Sequence, residues 1–359
     1  MDHLEIARLL VARRSQIVDQ TVTMVMQNPF WIERVGDGAR EKTVVDIEYT
    51  FDTLVKTVRY CSPMILEDYV VWLRGILINL RASTGLGLRQ SFAFLWSAIS
   101  SQMPEEAFPT LYDYIQAALQ VLNFADPRAQ QLLLAQDYLA DELVAATYDR
   151  HWHWQAAYST EGRQRARFDA WLGLDYLVDS LGTHREDNFF RHVRWMREHF
   201  IKHGLSTAHV QQWLWMLGLI GEQRLPPEVA SELRRILELG ITALQYEDPN
   251  YQALATAQDA LVQDVAKQLL DHGLFPQMEQ AMAEVGWYLA YLGDSLATND
   301  SANLIGYTRW VKQWLASYGL PETPLRQSYT ILSDALTRHL PANVASTATA
   351  LLRAAQGTL

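Results

Sequence analysis

Four ring-bearing side chains near the middle of the chain share the spacing of one helical face: His192, Trp195, His199 and His203. Residues three or four positions apart lie on the same side of an α-helix, so these rings are expected side by side. Imidazoles at positions i and i+4 can chelate one metal ion, and a neutral imidazole can be an axial ligand of haem. The set, here called the histidine face, is a candidate cofactor-binding site, with His199 and His203 as candidate metal ligands.

A second interpretation of the histidine face needs no ligand. A histidine can replace a tyrosine as an aromatic ring whose polar tip forms a hydrogen bond. The chain has 12 tryptophans, and the core of a helical bundle uses such residues as readily as a flat, apolar pocket does. This interpretation predicts no cofactor, whereas the first predicts haem, another tetrapyrrole or a metal ion.

Sequence patterns of the common catalytic sites are missing. The chain has no Gly-x-Gly-x-x-Gly, P-loop, His-Glu-x-x-His or Gly-x-Ser-x-Gly pattern. No glutamate is followed by a histidine three residues later, as di-iron helical bundles require. The single cysteine, Cys61, excludes internal disulfides and cysteine-rich metal sites, and we expect it to be a small packed residue. A non-enzymatic protein is favoured, and no catalytic residue is assigned.

The elements that position these residues are expected to be helices. Apolar residues recur at helical spacing, and most of the 12 prolines lie between such segments. Alternating strand patterns are hard to find. Hydrophobic residues make up 49% of the 359 residues, enough for a sizeable core. The sequence therefore predicts an all-α fold.

Charge and hydropathy narrow the classes of partner and location. The formal net charge of −11 disfavours binding to a phosphate backbone, and we find no local basic stripe, so no nucleic-acid partner is expected. The amino terminus is charged and amphipathic, unlike a secretory signal. Charge-free stretches such as 205–221 are too short and polar to span a bilayer, so no membrane insertion is expected. These features favour a cytoplasmic protein.

An internal repeat organises the second half of the chain. YLVDSL at 176–181 returns as YLGDSL at 291–296, and 20 of the 69 positions are identical when 176–244 is aligned without gaps to 291–359. The matches include turn-forming residues, Gly204 with Gly319 and Pro226 with Pro341. Glycine after a helix and proline at a helix start are typical of helix boundaries.

A more diverged copy lies upstream, which gives three tandem helical-bundle domains. Trp72 precedes Pro104 by 32 residues, and Trp195 precedes Pro226 by 31. The predicted domains are 1–128, 129–250 and 251–359, here copies one, two and three. Each has a long leading helix, such as 129–157, followed by about four more. At 110–125 residues, the copies are longer than solenoid repeats.

Comparison of the three copies shows which residues recur and which occur in only one copy. At the positions of the histidine face, copy one has Tyr69, Trp72, Ile76 and Leu80, and copy three has Tyr307, Trp310, Trp314 and Tyr318. The imidazoles therefore belong to copy two alone. The tryptophans that recur at one position, Trp72, Trp195 and Trp310, are expected to anchor the core of each bundle. Two aspartates in the repeated Asp-Ser-Leu segment, Asp179 and Asp294, correspond to Lys56 in copy one, and we expect a solvated helix face or a salt bridge there.

The first third of the chain resembles the amino-terminal sensor domain of stressosome RsbR-type proteins. The resemblance covers Leu4 to Asn28 and Glu41 to Leu77, and the residues that carry it are LLVARRSQIVDQTVTMVMQNP, followed by the LVKTV and DYVVWLRGIL segments. The resemblance implies a globin-like helical domain without haem that passes a signal to a partner. The sulfate-transporter-type output domain of that family has no counterpart here.

The sequence thus leads to two functional expectations. The first is a non-catalytic helical sensor or adaptor that acts in signalling by binding a protein partner or a small ligand, with self-association left open. The alternative is a tetrapyrrole- or metal-binding protein that uses the histidine face. An enzyme of an unrecognised class would need a pocket of perturbed titratable groups, which a sequence does not show.

Overall fold

A computed structural model of the chain describes residues 1–27, 32, 36–80, 84–151 and 154–359, without the side chains of residues 80, 86 and 154–159. Across these residues the chain forms sixteen α-helices and no strand, so the predicted all-α fold is confirmed. None of the helices in this part of the chain is both long enough and apolar enough to cross a membrane.

The helices are numbered in chain order. They are α1 His3–Ala12, α2 Arg14–Met26, α3 Ala39–Arg59, α4 Met64–Leu80, α5 Gln90–Gln102, α6 Phe108–Gln120, α7 Pro127–Arg150, α8 Trp154–Thr183, α9 Asp187–Lys202, α10 Thr207–Arg224, α11 Pro227–Ala243, α12 Pro249–Asp271, α13 Met278–Thr298, α14 Ala302–Ser317, α15 Thr323–His339 and α16 Ala342–Gln356. The leading helix predicted over 129–157 is shorter than expected, because α7 ends at Arg150.

Helix boundaries repeat because capping residues repeat. Asp126 accepts a hydrogen bond from a main-chain N–H in the first turn of α7, and Asp248 does the same for α12, each just before a proline at the first helical position. These are standard solutions for the free N–H groups of a helix start. Gly204 and Gly319 adopt the left-handed conformation predicted for them, with φ of 79° and 67°.

A second left-handed position recurs without glycine. Cys61, His184 and Asn299 have φ of 50°, 54° and 51°, and among the described residues they are the only non-glycine residues with positive φ. Their separations of 123 and 115 residues equal the offsets between the copies. Cys61 lies between α3 and α4, His184 between α8 and α9, and Asn299 between α13 and α14, so each lies at a turn between two helices. Cys61 is exposed, so the expectation that it packs as a small apolar residue is wrong.

The extra residue of copy one lies in a π-helical turn. Gly85–Arg89 adopts this geometry directly before α5, between Trp72 and Pro104. A π-turn absorbs one additional residue in a helix without changing the faces on either side of it. The turn therefore accounts for the spacing of 32 residues in copy one against 31 in copy two.

The chain divides into two compact units, 1–189 with 217–236, and 190–216 with 237–359. One core, in the first unit, runs from Ile6 to Leu122 and includes Phe51 and Phe92, both fully buried. Another, in the second unit, runs from Leu254 to Ala355 and is built by α12–α16 around the fully buried Tyr329. Each of these cores lies within one of the three predicted domains, whose boundaries stay a prediction.

The recurring tryptophans differ in burial. Trp72 is 60% exposed, so it is not the core anchor expected of it. Trp195 and Trp310 are half-buried, and Trp310 packs against the core of α12–α16. The position therefore lies at the edge of the bundle.

Candidate functional site

The structure brings the four residues of the histidine face together on α9 and just beyond it. His192 is buried, Trp195 and His199 are half-buried, and His203 is exposed. Neighbouring rings stack in the pairs His192–Trp195 and Trp195–His199, with centroid distances of 5.8 and 4.9 Å, and His199–His203 is a tilted pair at 4.2 Å. The four rings thus lie side by side, as the helical spacing predicts, and their use as a ligand site stays a prediction.

The stacked arrangement favours ring packing over chelation. His199 and His203 are tilted by only 36° to each other, whereas two imidazoles that share a metal must point lone pairs at one point. His203 Nδ1 donates a hydrogen bond of 2.8 Å to the carbonyl oxygen of His199. In the described part of the chain no group of three or more His, Cys, Asp or Glu side chains could hold a metal ion. The metal and tetrapyrrole assignments stay predictions.

A groove of about 560 Å³ lies on another side of α9, between this helix, the end of α11 and the start of α12. Its polar lining consists mainly of Arg194, Arg197, Thr242, Gln245, Tyr246 and Gln252. Glu247 contributes an acidic group, and it is exposed. The groove therefore combines two guanidinium groups with neutral hydrogen-bonding side chains and one carboxylate.

Arg197 is held in place at this groove. Its Nη1 donates to the carbonyl oxygen of Leu244 at 2.9 Å, and its guanidinium carbon lies 4.2 Å from the centroid of the Tyr246 ring. A guanidinium over an aromatic face gains a cation–π attraction. Arg194, three residues earlier, is exposed. Within the residues that the structure describes, neither arginine forms an ion pair, so neither charge is neutralised by a directly contacting carboxylate.

Tyr246 connects the groove to a buried carboxylate. Its hydroxyl donates to Asp294 Oδ1 at 3.0 Å, while its ring lies against Arg197. Burial and the nearby Asp294 raise the pKa of Tyr246. The hydroxyl is therefore protonated at neutral pH and remains a donor.

Asp294 holds the start of α10. Its carboxylate accepts hydrogen bonds from Ser206 Oγ at 2.6 Å and from Thr207 N and Oγ1 at 2.9 and 2.6 Å. Burial raises the pKa of Asp294, and these hydrogen bonds lower it in part. Asp294 is 2% exposed. The solvated face or salt bridge expected at this position is therefore wrong, since the aspartate is buried and caps a helix.

The same contact occurs one copy earlier. Asp179, also 2% exposed, accepts hydrogen bonds from Thr84 N at 3.0 Å and from Thr84 Oγ1. Asp175, one turn before it, accepts from Gly85 N at 2.8 Å. Burial, followed by the neighbouring Asp175, raises the pKa of Asp179 well above its ordinary value. We call these two contacts the Asp179 joint and the Asp294 joint.

Further contacts recur at the joints. Asn188 Nδ2 donates to the carbonyl oxygen of Ile78 at 3.2 Å, and Asn303 Nδ2, 115 residues later, donates to that of Leu205 at 3.1 Å. Each asparagine thus caps the main chain of the preceding copy. The same kinds of contact therefore occur at both joints.

The groove arginines were missed by the sequence analysis, although a signal was available. The position of Arg197 is basic in every copy, as Arg74, Arg197 and Lys312. In each case the side chain donates to a carbonyl oxygen near the end of the last helix of its copy: Val121, Leu244 and Leu359. Arg194, in contrast, corresponds to Val71 in copy one and to Arg309 in copy three.

Chemically, the arrangement can bind and orient an anion. It offers two guanidinium groups as hydrogen-bond donors, and it includes Tyr246, whose hydroxyl is hydrogen-bonded to Asp294. Comparison with known proteins adds no assignment: no protein-family model matches the chain, and no curated protein or solved structure matches it.

Proposed function

We propose that the chain is a non-catalytic helical sensor or adaptor in signalling, which binds a small anionic ligand in the groove beside α9. The observation that carries the proposal is the pair Arg194 and Arg197, which lie in one groove without an ion pair among the described residues. Planar guanidinium groups suit carboxylate and phosphate oxygens, to which they can donate two parallel hydrogen bonds.

The rest of the lining narrows the class of ligand. Thr242, Gln245 and Gln252 supply neutral donors and acceptors, which suit hydroxyl or amide groups. Glu247 places a negative charge in the same groove, which disfavours a polyanion. A small polar molecule with one carboxylate or phosphate group fits these requirements.

Tyr246 links the proposed ligand site to the Asp294 joint. A ligand shifts an equilibrium only as far as it binds one state better than another. An anion on Arg197 competes with the Leu244 carbonyl and the Tyr246 ring for the guanidinium. Any displacement of Tyr246 acts on its hydrogen bond to Asp294, and so on the start of α10. Ligand binding and the geometry of the Asp294 joint are thereby linked.

Isothermal titration calorimetry with inorganic phosphate, a monosaccharide phosphate and a small monocarboxylate tests the binding step. We expect saturable binding of at least one probe, and a roughly tenfold loss of affinity in Arg194→Ala, since a hydrogen bond to a charged group contributes about 1.5–3 kcal/mol. Arg309→Ala is the matched control, because Arg309 occupies the same position in copy three and is exposed. Absence of binding by all three probes, or equal affinity in Arg194→Ala, would refute the proposal.

Amide hydrogen exchange tests the coupling step. In the presence of the bound probe we expect a change in the protection of the Thr207 amide, which donates to Asp294. The change should be lost in Tyr246→Phe, which keeps the ring but removes the hydroxyl. Phenylalanine is compatible with the fold at this place, because copy one has Phe124 there. Binding without any change at Thr207 would leave a ligand-binding protein and remove the sensor mechanism.

A further inference from the structure

The joints define two positions that occur in every copy. One is the receiving position, occupied by Asp179 and Asp294; the other is the helix-start position, occupied by Thr84 and Thr207. At each joint the aspartate at the receiving position of one copy accepts hydrogen bonds from the threonine at the helix-start position of the copy before it. Both partners are nearly buried, with Thr84 5% and Thr207 4% exposed.

In copy one the receiving position is Lys56, and it is exposed. Seven residues before it, Tyr49 is 66% exposed, whereas the corresponding Leu172 of copy two is 2% exposed. Tyr60, one turn after Lys56, is 67% exposed. The face that is covered at the Asp179 joint is therefore open to solvent in copy one, and it carries a cation and large apolar side chains.

In copy three the helix-start position is Glu322, at the start of α15. Its carboxylate contacts Lys312 at 3.0 Å and Arg326 at 3.2 Å, and these cations lower its pKa. The glutamate is therefore ionised at neutral pH. Beside it Leu320 is 49% and Tyr318 57% exposed, so this face also carries apolar side chains open to solvent.

We propose that two molecules of this chain bind each other through these two faces. The face around Lys56, in copy one of the first molecule, binds the face around Glu322, in copy three of the second molecule. The charges support this pairing. Where the receiving residue is an aspartate, the helix-start residue is a hydroxyl donor, and where the receiving residue is Lys56, the open helix-start residue is Glu322. The lysine and the glutamate thus form a complementary pair in place of the aspartate and the threonine.

The exposed apolar residues on the two faces are a second observation in favour of an interface. Here Tyr49, Tyr60, Tyr318 and Leu320 are each about half exposed or more. Apolar groups rimmed by charged ones are typical of a protein interface.

The geometry of the pairing sets the type of assembly. The two faces are different surfaces, so the contact is heterologous. An assembly of any length keeps one unbound face of each kind at its two ends. It can therefore add further molecules, unless the rotation between successive molecules closes it into a ring. We expect chains or rings of head-to-tail copies, not a two-fold dimer.

Sedimentation velocity of the full chain over a wide concentration range tests the inference. The wild type should rise in mean mass above the 41.1 kDa of one chain, and beyond two copies. Lys56→Glu and Glu322→Lys should each weaken association roughly tenfold, because an attraction becomes a repulsion. An equimolar mixture of the two variants should associate again, since every contact then joins opposite charges.

Several controls keep the result interpretable. Both side chains are at least partly exposed, so each variant should keep the helical circular dichroism spectrum of the wild type. Glu322→Lys also loses the contacts with Lys312 and Arg326, which as exposed ion pairs contribute about 1 kcal/mol or less each, so its melting temperature should fall by only a few degrees. Lys267→Glu, at an exposed lysine of α12, controls for the change in net charge. A wild type that stays monomeric, a closed dimer insensitive to both substitutions, or a mixture that fails to associate would overturn the inference.

Discussion

At the Asp179 joint, the side chain of Asp175 lies where a Cβ atom at position 85 would have to fit. Gly85 donates its N–H to Asp175, and a Cβ atom added to Gly85 would lie 2.0 Å from Asp175 Oδ1. Gly85→Ala is therefore expected to destabilise the fold by about 1–3 kcal/mol through overpacking. Chemical denaturation measures the loss. Gly75→Ala is the control, because a Cβ atom at Gly75 would meet no atom within 4 Å, and there we expect a gain of up to about 1 kcal/mol.

The repeat itself suggests how the clash can be relieved. Copies two and three have Ala208 and Ala290 where Gly85 and Asp175 stand. We therefore expect Asp175→Ala to cancel much of the cost of Gly85→Ala in a double-mutant cycle, since the shorter side chain leaves room for the new methyl group. Strictly additive losses in the cycle would show that the two positions do not share this contact.

The buried carboxyl of Asp179 makes stability depend on pH. Its pKa is raised above 3.8, so the folded state binds the proton more tightly than the unfolded state. The resulting stabilisation is full below pH 3.8 and decreases as the pH rises toward the folded pKa, by at most about 1.4 kcal/mol per pH unit. Asp179→Asn removes this titration, so its unfolding free energy should be flatter above pH 4.

Urea denaturation at several pH values compares the two proteins. Asp113→Asn is a suitable control, because Asp113 is exposed on α6. The control should keep the wild-type pH profile. If Asp179→Asn also kept that profile, or if the stability of the wild type relative to Asp179→Asn increased as the pH rose through this range, the assigned direction of the Asp179 pKa would be wrong.

Among the elements, the π-turn before α5 makes a prediction of its own. Deletion of Gly87 shortens the turn to the length found in copy two and should keep Phe92 and Leu95 in the core. We expect a loss of about 1 kcal/mol or less, measured by thermal unfolding. Deletion of Ser97 in α5 instead rotates the buried Ala98 and Ile99 out of the core, which should cost several kcal/mol. Equal losses would contradict the role given to the turn.

The elements also show what the sequence could and could not predict. The helical spacing of apolar residues predicted the all-α fold, and Gly204 and Gly319 predicted two helix ends. Both features depend only on residues that are near one another in the sequence. The histidine face was found for the same reason. The burial of Asp179 was missed, since the hydroxyl and N–H groups that satisfy it are 95 residues away in sequence. The groove was missed because three separate helices build it.

At the scale of the molecule, charge and association oppose each other. A formal net charge of −11 makes two copies repel at long range, while the proposed pair of Lys56 and Glu322 attracts only at contact. The groove beside α9 is a local exception, with two arginines against one glutamate. Ionic strength separates these effects, because salt screens distant charges more strongly than charges in contact.

We therefore expect head-to-tail association to strengthen when salt is raised from about 10 mM to 150 mM, where the Debye length shortens from about 30 Å to about 8 Å. The reason is that the repulsion between acidic molecules is removed while the proposed contact between the two faces, which expose Tyr49 and Leu320, is kept. Sedimentation equilibrium at fixed protein concentration measures the change, and Lys56→Glu should stay less associated at every salt concentration. Association that weakened over this range would indicate long-range attraction between charged patches as its main cause, and the apolar faces would lose the role given to them.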